Sequence, residues 1–374
     1  MEQSRTREES ARRIGPYRLI TRLDPPGPAV PFRRFVARTQ DGERTVLLST
    51  PLPGTDPARF ATEADAARRL LGPWIAPVTD LAAPGEPPWH ASPYLPLLPL
   101  PVALAVHGGP LPEATVRAVG AALAEALAAA HAQGLTHAGV SPAAVLLTAD
   151  GPRLSCFGAV RAAAPDGERR TGLPGLDPGA LAPEQASGGR PRPPGDVFAL
   201  GAVLAYAATG HTVPERDELP PALRPVISAC LARDPADRPT ATDLMAALAP
   251  PTAHGTVLNS AGTLLTPGWL PGRVVAALAR QSSELLAAEL SPTEVQATED
   301  PAAGGPGAKT PATGGPTTKG STEGPAANGP TAGGATNEGP TANGPSARRA
   351  AAEHPTAGRL GAAVPTLPSH SPRT

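Results

Sequence analysis

Three stretches decide how this chain is read: Leu181-Ala182-Pro183-Glu184-Gln185, Asp196-Val197-Phe198-Ala199-Leu200-Gly201 and Arg233-Asp234-Pro235-Ala236-Asp237-Arg238-Pro239. The second opens a run that stays apolar nearly all round to Thr209 and stops at Gly210, the pattern of a helix buried on every side. The third is followed by Thr240 and Asp243, placed as an N-cap and its N3 carboxylate, which starts a helix over Thr240–Leu248. Another helix is expected over Pro221–Ala232. Upstream, Val116, Val119, Leu123 and Leu127 recur at helical spacing between Pro112 and Gln133, with Gly134 as the stop. A hairpin follows: Val145-Leu146-Leu147, the turn Asp150-Gly151, then Arg153-Leu154-Ser155.

Further towards the N-terminus the pattern turns to strands. Tyr17–Leu23 is one, and Phe32–Arg38 and Thr45–Leu48 flank the hairpin turn Asp41-Gly42. Asp56-Pro57 supplies an N-cap and a first-turn proline for a helix burying Phe60, Ala64, Ala67 and Leu71. The order is a small β-rich lobe (about 15–95) and then a larger helical lobe (about 96–250), an α+β class.

The flanks differ in kind. Of 374 residues, 51 are Pro and 40 Gly, against 3 Trp, 3 Tyr and 5 Phe. From Pro292 to Thr374, 13 Pro and 14 Gly accompany no aromatic and only Val295, Leu360, Val364 and Leu367 as large aliphatics. Such a tail cannot bury enough apolar surface to offset its ordering entropy, so 292–374 is expected to be disordered, as is the leader 1–14. Between them, 251–291 is expected to hold a linker and an amphipathic helix over Gly272–Leu290, with Val274, Val275, Leu278, Leu285, Leu286 and Leu290 as its apolar stripe. That stripe suits docking on the main domain, a partner or a membrane surface. The net charge of -1 gives no reason to expect nucleic acid as a partner. Cys156 and Cys230 stand alone, without metal-ligand spacing, and fit reduced thiols in a cytoplasmic protein. No stretch is predicted to span a membrane or to serve as a secretory signal.

The three stretches, in this order, resemble the eukaryotic-type Ser/Thr protein kinases. The first is similar to the family's Ala-Pro-Glu motif, the second to the start of its buried central helix, and the third to the segment supplying the arginine partner of that glutamate. Gly134-Leu135-Thr136-His137 with Val145-Leu146-Leu147 takes the place of the catalytic loop, and Cys156-Phe157-Gly158 that of Asp-Phe-Gly. The opening Ile14-Gly15-Pro16-Tyr17-Arg18-Leu19 is typical of the bacterial branch. The resemblance covers about residues 15 to 250 and implies the bilobal protein-kinase-like fold. It also implies that Glu184 pairs with Arg238, that Asp196 holds the catalytic-loop backbone, and that His137 and Phe157 stack in the core.

Phosphoryl transfer is charge placement, so each working position matters. The glycine-rich turn aligns with Leu23–Val30, where Pro25, Pro26 and Pro28 remove N–H donors. The strand lysine aligns with Leu48, give or take a residue, and no lysine precedes Lys309. Glu63 matches that lysine's glutamate partner and is expected to stand alone. Gly139 replaces the catalytic aspartate, Ser141 the loop lysine, and Ala144 and Cys156 the two magnesium ligands. No asparagine precedes Asn259. No cation is predicted beside Cys156. The activation segment, Cys156–Glu184, carries Arg161, Arg169, Arg170 and Thr171, the last a phosphorylation site in an active relative. Here a solvated loop is expected, and Asp177 replaces the threonine before Pro-Gly.

The leading expectation is a catalytically inactive member, a pseudokinase acting as a scaffold or allosteric partner of a protein, such as an active kinase or its substrate, with no metal site and no cofactor. The alternative is a Ser/Thr kinase with weak or atypical phosphotransfer, using ATP and magnesium through arginines such as Arg33 and Arg34. A third reading places the function in 251–374.

Overall fold

The computed structural model describes residues 13–24, 29–215, 217–248, 265 and 267–290, with the side chains of 286 and 288–290 outside that description. The leader up to residue 12, the prolines of the 25–28 turn, most of the linker and the 292–374 tail lie outside the described residues. Arg13 and Ile14, expected in the leader, instead form β1 (Arg13–Ile14) and pair with Arg18 and Tyr17.

The fold is mixed α+β. The first lobe is a six-stranded antiparallel sheet of β1, β2 (Tyr17–Arg22), β3 (Arg33–Thr39), β4 (Thr45–Thr50), β5 (Asp80–Leu81) and β6 (His90–Pro93). β3 and β4 join through the Asp41-Gly42 turn, with Gly42 at φ 80°, the left-handed region such a turn requires. Helix α1 (Pro57–Ala67) starts where Asp56 accepts from the N–H groups of Ala58 and Arg59 and Pro57 fixes the first turn. It buries Phe60, Ala64 and Ala67. Leu71, expected on that face, lies beyond the helix end and is 66% exposed; Leu70 is the buried neighbour.

Residues 94–97 cross to the second lobe, where β7 (Leu98–Pro99), β8 (Val145–Thr148) and β9 (Gly151–Leu154) form a small sheet. The helices are α2 (Leu100–His107), α3 (Glu113–Ala132), α4 (Ala159–Ala163), α5 (Pro183–Ala186), α6 (Pro193–Thr209), α7 (Arg224–Cys230), α8 (Ala241–Leu248) and α9 (Gly272–Leu290). α6 is buried nearly all round, as its composition predicts, and Gly210 ends it at φ 88°. Gly120 lets α3 approach α6 and α8: a Cβ there would meet Leu204 and Leu248 methyls at 2.8 Å. Ala76 donates to the Leu154 carbonyl and Leu154 to that of Trp74, tying the chain after α1 to β9. α9 docks on the main core, burying Val274, Ala277 and Leu278, while Val275 is exposed and Leu285 half-buried. Among the described residues no helix is long and apolar enough to cross a membrane.

Candidate functional site

The cleft between the lobes is built on Asp196, at the start of α6. Its Oδ2 accepts from the His137 N–H and its Oδ1 from the Ala138 N–H, both at 2.7 Å, and His131 Nε2 lies 3.0 Å from Oδ2. These bonds fix the 137–139 loop, where Ala138 takes φ 51°. The His137 ring is buried, edge-on to Phe157 at 5.5 Å, and neither ring nitrogen has a hydrogen-bond partner. Burial pushes its pKa down to about 4, so it packs as a neutral ring.

The segment Cys156–Gly158 folds directly onto that loop. Gly158 N–H donates to the His137 carbonyl and Val160 N–H to that of Ala138, each at 2.8 Å. A Cβ placed on Gly139 would overlap the Cys156 carbonyl oxygen and come 3.0 Å from its carbonyl carbon and 3.2 Å from Ala159 N. The position has neither a carboxylate nor room for one. Ser141 caps the next turn by accepting from Ala144 N–H, and Ala144 is fully buried.

Beside this segment, Arg34 of β3 reaches into the cleft. Its guanidinium is completely buried and grips Asp24: Nε donates to Oδ2 at 2.7 Å and Nη2 to Oδ1. Nη1 donates to Ser155 Oγ at 3.2 Å and lies 3.9 Å from Cys156 Sγ. The expectation that no cation neighbours Cys156 is therefore corrected. Burial nonetheless pushes the thiol pKa up against the pull of Arg34, which favours the neutral thiol.

Leu48 lies on the opposite face of β4, packed with Tyr17, Ala37, Val46 and Trp89. Ser49, one residue along, shares a small cavity of about 20 Å³ with Glu63, His90 and Phe157. Because side chains alternate along a strand, Ser49 and Leu47 are the residues of β4 that face Glu63's helix. Glu63, expected to stand alone, has acquired a partner: Arg161 Nε and Nη2 lie 2.8 and 2.7 Å from Oε2. Gly158 sits against the same carboxylate, and a Cβ there would come 2.6 Å from Glu63 Cβ.

Further contact between the lobes is apolar. Leu47 from the first lobe, Leu97 from the crossing segment and Leu146 from the second form one buried cluster, with Leu23 and Tyr94 against it. At the front, Gly175 of the activation segment packs on the first lobe: a Cβ there would come 2.6 Å from Leu52 Cδ1 and 3.0 Å from Pro31 Cα.

The activation segment is a built structure and not the solvated loop its charges suggest. Arg170 is fully buried and donates to the carbonyls of Ala164, Pro165, Gln185 and Gly189 and to Asp166. Thr171 and Arg169 are exposed. Asp177 accepts from Gly179 N–H at 2.8 Å. The Arg238 guanidinium is bidentate on Glu184, Nη1–Oε1 2.7 Å and Nη2–Oε2 2.9 Å, and rests on the Phe198 ring. Burial raises the Glu184 pKa and Arg238 more than reverses that, leaving it lowered.

ATP with magnesium, the pair associated with this fold, does not fit these residues. Ala144 and Cys156 offer no carboxylate or amide, and Arg34 is already committed to Asp24. Among the described residues no group of three His, Cys, Asp or Glu side chains is placed to hold a metal ion.

No family model matches the chain. Among curated proteins, the probable serine/threonine-protein kinase PkwA of Thermomonospora curvata is 38% identical over 258 residues, covering 63% of this chain and 34% of that protein. The serine/threonine-protein kinase AfsK of Streptomyces coelicolor is 32% identical over 293 residues, 72% of this chain and 36% of its own length. PknK of Mycobacterium tuberculosis is 36% identical over 225 residues, 53% of this chain and 20% of its own. The chain thus spans 34% and 36% of the length of the first two.

Proposed function

We propose that this chain, whose relatives are bacterial serine/threonine protein kinases, keeps their scaffold and acts in the cytoplasm by binding a protein, without transferring phosphate. The observation carrying this reading is the Cys156 carbonyl standing where any side chain on Gly139 would begin. A base-bearing residue cannot be accommodated there while the 156–158 segment keeps its path. Loss of general-base assistance alone costs roughly 10²–10⁴ in rate. The electrostatic stabilisation that lysine and metal would add is usually larger, and the Arg34 cation that the cleft does hold is taken up by Asp24.

The scaffold, by contrast, is fully braced: Glu184 with Arg238, Asp196 with the 137–138 backbone, Glu63 with Arg161. A rigid, shut two-lobed body suits a scaffold or allosteric partner, for an active kinase or its substrate. Phosphotransfer through Arg34 is the weaker reading, because that guanidinium would first have to abandon Asp24.

Incubation of the full chain with labelled ATP and either magnesium or manganese tests the proposal. No incorporation into the chain or into generic protein substrates is expected. Clear incorporation that disappears in Glu63→Gln would overturn it.

A further inference from the structure

The crossing segment 94–97 is where the two lobes are joined, and the Leu97 N–H points to neither sheet. Its partner comes from far along the chain: Gln281 Oε1 of α9 accepts it at 3.0 Å. The side chain of the same Leu97 sits between Leu47 of the first lobe and Leu146 of the second. Gln281 therefore touches the cleft at its joint.

The rest of the 265–290 segment divides into two halves. The first is anchored on the large lobe: Thr115 Oγ1 donates to the Trp269 carbonyl at 2.6 Å and Trp269 Nε1 to the Ala149 carbonyl at 3.2 Å. Arg273 donates to the His107 carbonyl at 3.2 Å, and Val274, Ala277 and Leu278 are buried in the main core. The second half reaches over the small lobe. Gln281, Glu284 and Leu285 face Thr21, Leu23 and Val36 across a gap of about 390 Å³. Among the described residues, the first half is held by core packing and the second by the Gln281 hydrogen bond beside a gap, so the two halves differ in how readily they lift.

From this asymmetry we infer that α9 is a latch in cis. The large lobe holds its first two turns, and Gln281 closes the mouth of the cleft by taking the Leu97 N–H. Whatever spreads the lobes must first lift the second half of α9. The inference deepens the reading of the cleft as a shut, non-catalytic site and rests on it.

Amide hydrogen exchange at Leu97 in the full chain tests the latch. In Gln281→Ala the acceptor is gone, and exchange at Leu97 and along Tyr17–Arg22 is expected to quicken about five- to tenfold, the net worth of one hydrogen bond. Gln281→Glu keeps an acceptor oxygen and is expected to retain protection, whereas Gln281→Met, similar in size but without that acceptor, is expected to lose it, which a merely space-filling role would not predict. Val274→Asp, which removes the anchor, is expected to expose Leu97 as well. Equal exchange at Leu97 in the wild type and Gln281→Ala would overturn the latch while leaving the absence of phosphotransfer standing. Phosphate incorporation by the wild-type chain would instead remove the reading it rests on.

Discussion

The carbonyl oxygen of Cys156 occupies the space into which a side chain on Gly139 would have to grow. The two positions that the kinase resemblance assigns to a catalytic base and a metal ligand are here locked together through their backbones. The change is therefore one of shape as well as of charge. Restoring the missing groups singly should not restore the chemistry.

Gly139→Asp is expected to lower stability by about 1–3 kcal/mol or more, the range for forcing atoms into packed space. It is expected to gain no phosphotransfer, even combined with Ala144→Asn and Cys156→Asp. Urea denaturation and labelled-ATP incorporation check both parts; a variant as stable as the wild type would show that the 156–158 segment moves freely.

Arg34 and Asp24 form a fully buried ion pair. Arg34→Met leaves the carboxylate buried without its cation and is expected to cost about 3–5 kcal/mol. Adding Asp24→Leu removes the stranded charge and should recover at least half of that loss. A double-mutant cycle by urea denaturation measures it, and strictly additive losses would contradict the pairing.

Arg170 holds the activation segment through four backbone carbonyls. Arg170→Ala leaves those acceptors short of donors, an expected cost of about 2–4 kcal/mol. Limited proteolysis within 164–189 should accelerate. Arg169→Ala, on the exposed neighbour, should change stability by no more than about 0.5 kcal/mol.

His90 and His137 are both buried, and burial pushes each pKa down from 6.5 to about 4. Between those values the unfolded chain binds protons that the folded chain refuses. Stability is therefore complete above about pH 6.5 and falls as pH drops towards about 4, by roughly 1.4 kcal/mol per pH unit for each ring. Urea midpoints at pH 7.5 and 5 should differ in that direction, and His137→Phe should flatten the slope. A midpoint independent of pH across this window would contradict the buried neutral rings.

Much of this was legible in the sequence. The Asp56-Pro57 start and the all-apolar α6 run carry strong local signals, and Glu184 does pair with Arg238 while Asp196 takes the 137–138 N–H groups. Leu48 was a different matter. Val46-Leu47-Leu48 is apolar throughout, so alternation does not say which residue faces the cleft, and a one-residue slip exchanges the faces. The burial of Arg34 is hidden in the sequence for a related reason. An arginine on a strand is ordinarily a solvent-facing residue, and it is the pairing with Asp24, just past the end of β2, that turns this one inward. Arg170 could not be told from Arg169 by composition. The Gly139 clash arises from a backbone seventeen positions away, about which side-chain chemistry is silent.

Nucleotide binding is the most direct test of a shut cleft. Thermal unfolding of the full chain should be followed with rising ATP or ADP, with and without magnesium. The predicted result is a midpoint that does not move. A ligand at 100 times its dissociation constant adds about 2.7 kcal/mol of stability. A rise of that size, saturating with nucleotide and lost in Leu47→Trp, would mean that the cleft opens and takes the ligand after all.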